Sequence, residues 1–205
     1  MSALEKLALR FKDFPGIGPR QARRFVYFLL TRNKDYINEL TSLIEEVKKE
    51  IKVCGTCRRF HNGGSKSPQC KTCADINRDK GLLMLVEKDI DLEAIEKSGG
   101  YEGYYFVLGG LVPILEKEPE KRIRQKELLA LLEQKLKTNE LKEIIFAFAV
   151  NAEGENTVFY LNNLLQPIIG EKGIKTSTLG RGLSTGLEVE YSDPETLKSA
   201  LKNRS

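Results

Sequence analysis

Apolar positions recur every three to four residues over three stretches at the start of the chain, and then the period changes. Leu4, Leu7, Ala8 and Phe11 stand at i, i+3, i+4 and i+7, which predicts a helix over residues 3–13. Ala22, Phe25, Val26 and Leu29 predict a second over 20–32. Ile37, Leu40, Ile44, Val47 and Ile51 predict a third over 35–51, with one buried stripe. After Asn77, short apolar runs alternate with amphipathic stretches. Strands are expected at Leu82–Val86, Tyr104–Leu108, Ile144–Val150 and Ile174–Leu179, with a shorter fifth at Leu187–Tyr191. Helices are expected between them at Asp89–Ser98, Lys121–Leu136 and Thr157–Ile169, and a last one opens at Pro194 behind the capping Asp193. Repeated strand–helix units predict an α/β fold: a mostly parallel sheet with helices on both faces.

The first two helices are broken apart by Phe14-Pro15-Gly16-Ile17-Gly18-Pro19. Pro15 disfavours helix at the residue before it, Gly16 and Gly18 permit positive φ, and Pro19 suits the first turn of a new helix. The arrangement is a helix–hairpin–helix. Its glycines let backbone N–H groups come close to a phosphate, and the helix start behind them favours the same negative charge. Arg20 and Arg24 share a face beside the hairpin, with Arg23 adjacent. Such a set holds a nucleic-acid backbone without reading its sequence. The plainer alternative is a turn between packed helices with solvated arginines.

All four cysteines lie in the next stretch. Cys54, Cys57, Cys70 and Cys73 form two C-x-x-C turns separated by twelve residues. Two such turns aim four thiolates at one point, the donor set of a structural zinc site. Two disulfides or four buried thiols are the alternative. His61, the only histidine, reads as a loop residue, and Gly63–Ser67 as an exposed tip.

Composition narrows the setting. No apolar run in the 205 residues approaches the roughly 18 needed for a membrane span. The first helix carries interleaved charges, unlike a signal peptide. A reduced, cytoplasmic protein is expected, which suits thiolate–zinc ligation. Net charge is +4 but unevenly spread: residues 1–80 hold 17 Lys+Arg against 9 Asp+Glu, and the remainder 16 against 20. A basic amino-terminal part on an acidic remainder points to nucleic-acid contact at one end.

Acidic residues follow the expected strand ends: Glu87, Asp89 and Asp91 after the first, Glu153 and Glu155 after the third. Carboxylates there can hold Mg²⁺ for phosphoryl transfer, or simply cap helices as ordinary loop acids.

The hairpin FPGIGPRQARR, the four-cysteine knuckle, VEKDIDLEAIE, GYYFVLGG, IIFAFAVNAEGENT and GRGLSTGLEVEYSDPETLKSAL occur in an order that resembles the RecR family of bacterial recombination mediators. The resemblance covers essentially the whole chain. It implies a helix–hairpin–helix domain over 1–52, a C4 zinc finger over 53–78, a Toprim domain over 79–192 and a C-terminal helix over 193–205. It implies a non-enzymatic, nucleoid-associated protein that forms a ring-shaped tetramer on DNA and works with RecO and RecF to load recombinase. By position, Gly16, Gly18, Arg20 and Arg24 match the DNA-contacting hairpin, and the four cysteines match the zinc ligands. Glu87, Asp91 and Glu153 match Toprim acids that serve partner docking in this family. The chelating D-x-D of metal-dependent Toprim enzymes is here Ala149 and Asn151. A Toprim-type nuclease or primase-like enzyme is therefore the second reading.

Overall fold

The computed structural model describes residues 1–63, 68–180, 182–183, 186 and 188–202. The chain divides into two compact units, Met1–Ile51 and Lys52–Ser205.

The first unit is three helices: α1 (Ala3–Lys12), α2 (Pro19–Leu30) and α3 (Lys34–Glu50). Ser2 and Glu5 close a capping box on α1, and Asn33 caps α3 by accepting from Tyr36 N. Only Ala22 and Val26 are fully buried, where α1 and α2 meet. Phe11 packs edge-on against both Phe14 and Phe25. The expected buried stripe on α3 is not realised: Ile44 and Val47 are each 56% exposed. Ile37 and Leu40 are only half-buried. Three helices in about fifty residues enclose too little volume to cover a stripe that long. Ile51, read as the end of that helix, has already turned extended.

The second unit opens with a small hairpin, β1 (Ile51–Val53) and β2 (Phe60–Asn62), followed by one helical turn, α4 (Lys71–Ala74). The hairpin is too short to leave a period in the sequence. Then come β3 (Asp79–Val86), α5 (Asp89–Ser98), β4 (Gly103–Val107), α6 (Gln125–Thr138), β5 (Glu143–Ala147), α7 (Ala152–Ile169), β6 (Lys175–Thr178) and α8 (Pro194–Lys202). Four strands form a wholly parallel sheet in the order β4-β3-β5-β6.

Alternation along the strands separates two cores. Leu83, Leu85, Phe106, Ile144 and Phe146 face α6 and α7, meeting Leu128, Leu132, Leu161 and Leu165. Met84, Val86, Tyr105, Val107 and Ala147 face α5 through Leu92 and Ile95. Helices therefore cover both faces, as the pattern implied.

Several boundaries differ from expectation: β3 begins at Asp79, three residues before Leu82, and β5 ends at Ala147, three before Val150. α7 starts at Ala152, five residues early, because Asn151 supplies an N-cap that the apolar period cannot reveal. The stretch before α6 is a 3₁₀ turn, Pro119–Lys121, set by its proline. The expected fifth strand is absent among the described residues: Val189–Tyr191 is a 3₁₀ turn, and Leu187 lies outside them. Of the expected Gly63–Ser67 tip, only Gly63 is described.

Candidate metal centre and nucleic-acid interface

The four cysteines converge. Their sulfurs all lie within 4.8 Å of one another, and Cys57 Sγ and Cys70 Sγ stand 3.5 Å apart. A tetrahedral zinc with Zn–S of about 2.3 Å sets its sulfurs about 3.8 Å apart, so the donor set fits the ion. Cys54, Cys57 and Cys70 are buried and Cys73 is half-buried. The four thiols interact so closely that their mutual hydrogen bonds pull Cys54 and Cys70 down and push Cys57 and Cys73 up from the ordinary thiol range. The backbone shapes the turns: Arg58 N donates to Cys54 O at 3.1 Å, Cys70 N donates to Cys54 Sγ at 3.3 Å, and Gly55 N to Pro68 O at 3.0 Å. Arg58 sits at φ 64, a left-handed conformation uncommon for a side-chain-bearing residue. Among the described residues, no other set of three or more His, Cys, Asp or Glu side chains gathers this closely.

The hairpin of the first unit has a different electrostatic character. Gly16 adopts φ +73 and so needs glycine. Gly18 does not use positive φ: at φ −80 and ψ 170 it is extended and stands as the N-cap of α2. It offers no side-chain cap. A Cβ built at Gly18 meets nothing within 4 Å. Among the described residues, the N–H groups of Gly16, Gly18, Arg20 and Gln21 have no internal acceptor. This helix end presents open donors and the positive pole of the helix to solvent. Arg20, Arg23 and Arg24 are exposed around it, with Arg24 Nη1 donating to Gln21 Oε1 at 3.3 Å.

The acids at the strand ends are mostly committed to local contacts. Glu87 Oε1 pairs with Lys88 Nζ at 2.6 Å. Asp91 Oδ2 accepts from Lys88 N at 2.9 Å, closing the first turn of α5. Asp89 Oδ1 accepts from Phe60 N at 2.6 Å. Glu153 is exposed in the first turn of α7. Asn151 accepts from Gly154 N at 2.8 Å as the cap of α7. A Cβ at Gly154 would stand 1.9 Å from Ala149 O, so the chain can turn into α7 only through a glycine.

Residues that the sequence pattern does not single out join the knuckle to the sheet. Val107 N donates to Cys57 O at 2.8 Å, and Arg124 Nη1 donates to Arg58 O at 2.8 Å and to Val107 O at 3.1 Å. Tyr104 Oη donates to Asp75 O at 2.8 Å, and Arg59 approaches Glu93 at 3.8 Å. No spacing rule signals the first three of these bonds and the Tyr104 bond, because the acceptor in each is a main-chain carbonyl.

Residues 4–48 match the family described as "RecR, helix-hairpin-helix", and residues 81–179 match the Toprim domain. A curated relative from Bifidobacterium longum subsp. infantis, "Recombination protein RecR", is 36% identical over 202 residues, covering 98% of this chain and 95% of its own. The protein of the same name from Chloroherpeton thalassium is 34% identical, with 99% and 96% covered. That from Staphylococcus aureus strain JH9 is 33% identical, with 98% and 96% covered. The chain belongs to the RecR family. It is a recombination and DNA-repair protein built from a RecR helix–hairpin–helix, a four-cysteine cluster suited to zinc and a Toprim sheet. No helix among its described residues is long and apolar enough to cross a membrane.

Proposed function

We propose that this RecR-family chain is a non-catalytic DNA-binding mediator of recombinational repair that forms a ring around DNA and helps to load recombinase. The observation that carries the DNA contact is the uncapped start of α2. Its open N–H groups at Gly16, Gly18, Arg20 and Gln21 stand beside the exposed Arg20 and Arg24. Backbone donors, a helix pole and arginines are the components of a sequence-independent phosphate contact. Few contacts per chain bind weakly, and several copies on one duplex multiply their effective concentration. The exposed Ile44 and Val47 stripe on α3 supports association between copies, a tetramer in our reading.

Functionally, residues 1–52 bind DNA, 53–78 form the zinc finger, 79–192 the Toprim domain and 193–205 the closing helix. Cys54, Cys57, Cys70 and Cys73 would hold a structural zinc, which fastens the knuckle and leaves no position for chemistry. Glu87, Asp91 and Glu153 are assigned to docking of RecO-like and RecF-like partners, and the protein acts in the cytoplasm at the nucleoid. Ala149 and the capping Asn151 support the non-catalytic reading over a Toprim-type nuclease or primase-like enzyme, as do the local commitments of Glu87 and Asp91.

Light scattering of the chain with and without a DNA duplex, run beside a gel-shift titration, tests this reading. A defined oligomer that retains DNA in a salt-dependent way is expected. A monomer with no salt-dependent DNA binding overturns it, and Mg²⁺-dependent cleavage lost in Glu87→Ala overturns its non-catalytic part.

A further inference from the structure

Among the described residues β4 is an edge strand, paired in the sheet with β3 alone. An uncovered edge presents unpaired N–H and C=O groups that template pairing with other chains, and folds close such edges with a loop or helix. Here Cys57, Arg58, Asp75 and Arg78, from either side of the two C-x-x-C turns, meet that edge. At the C-terminal end of β4, Val107 N donates away from β3 to Cys57 O at 2.8 Å, and Val107 O accepts from Arg124 Nη1 at 3.1 Å. The same Arg124 nitrogen reaches Arg58 O at 2.8 Å, so one guanidinium joins the first C-x-x-C turn to the strand. Nearer the start of the strand, Tyr104 Oη donates to Asp75 O, just past the second C-x-x-C turn, at 2.8 Å. At the first residue of the strand, Arg78 Nε donates to Gly103 O at 2.8 Å, and Arg78 is anchored in turn by Glu96. Phe60 N on Asp89 fixes the hairpin against the start of α5.

We propose that the metal-held knuckle is the edge cover of β4, and that loss of the metal opens this edge while the interior of the sheet stays folded. The Cys57 and Arg58 carbonyls have their positions because the first C-x-x-C turn is closed. Among the described residues, the buried apolar cluster around that turn consists of the four cysteines alone. The inner strands β3 and β5 are secured separately by the cores against α5, α6 and α7. The metal's consequence for function is then local: it keeps one side of the Toprim sheet from pairing with other chains. This inference rests on the zinc reading of the four cysteines.

The test uses the full chain. Its zinc content is measured by atomic emission. Hydrogen exchange is then followed by mass spectrometry before chelation, after a strong chelator, and after zinc is restored. On chelation, the peptide over residues 103–108 is expected to exchange at least about tenfold faster, while peptides over 82–86 and 144–147 keep their protection. Restored zinc returns the original rates. A chain that holds and takes up no zinc overturns both the zinc reading and this inference. A zinc-loaded chain whose β4 exchange is unchanged by chelation overturns the edge cover alone. Simultaneous loss of protection in all three peptides also overturns it, because the metal would then support the whole unit.

Discussion

Arg124, at the start of α6, donates one hydrogen bond to Arg58 O at 2.8 Å and another to Val107 O at 3.1 Å, joining the cysteine knuckle to an edge strand of the sheet. A Cβ at Gly109 would stand 3.1 Å from Arg124 Nε, so the guanidinium lies close over the glycine that follows the strand. Arg124→Ala removes the donor to two part-buried carbonyls. The expected cost is about 1–3 kcal/mol in chemical denaturation. Zinc content should be unchanged, because no sulfur moves out of reach of its neighbours. Loss of zinc in this variant would show that the sulfurs depend on the strand contact.

The two hairpin glycines should behave differently, since only Gly16 uses positive φ. Gly16→Ala is expected to lose about 1–2 kcal/mol of stability from left-handed strain. Gly18→Ser is expected to gain a few tenths of a kcal/mol, because a serine at the N-cap accepts from the open N–H groups of α2. That same bond occupies the donors assigned to phosphate. DNA affinity should therefore fall while thermal stability rises, measured on one preparation by anisotropy and calorimetry. A stabilised variant with unchanged affinity would remove the backbone donors from the DNA-binding surface.

Arg78 and Glu96 give a pH dependence with a fixed sign. Burial pushes the Glu96 carboxyl up, but hydrogen bonds and charge from Arg78 outweigh it and leave the group below its ordinary 4.5. A depressed folded-state pKa stabilises above the unfolded value and is lost as pH falls through the folded one. The stability gap between the wild type and Glu96→Gln is expected to be widest near neutral pH. It should close as the pH is taken below about 4.5. A gap that stays constant as the pH is taken down to about 3 would mean that the Glu96 charge contributes nothing to the pair.

Much of this molecule is legible from residue order alone, and the exceptions have physical causes. The strand of Leu82–Val86 and the helix of Asp89–Ser98 announce themselves because both core faces demand apolar residues at a fixed period. The cysteines announce themselves because a metal fixes ligand type and spacing together. The stripe on α3 reads as buried because period reports which residues want cover, while only the surrounding chain decides whether they receive it. Gly18 reads as a conformational glycine, whereas its service is to leave a helix end uncapped. Arg124 and Tyr104 pass unnoticed because each acts on a main-chain group of a residue distant in sequence, and Asp89, legible only as a strand-end acid, does the same. The acids at adjacent strand ends stand out as possible metal ligands, yet two of them, Glu87 and Asp91, each have a local partner in Lys88.

In the proposed function, the α2 start and its arginines hold the DNA backbone. Duplex affinity measured across a salt series, for the wild type and for Arg20→Ala/Arg24→Ala, tests it most directly. The wild type should show log K falling against log salt concentration. The double variant should bind more weakly, with a slope shallower by about 0.9 for each phosphate that it no longer neutralises. Its thermal stability should stay within about 0.5 kcal/mol of the wild type, since both side chains are exposed. A folded double variant with the same affinity and the same slope would contradict the account.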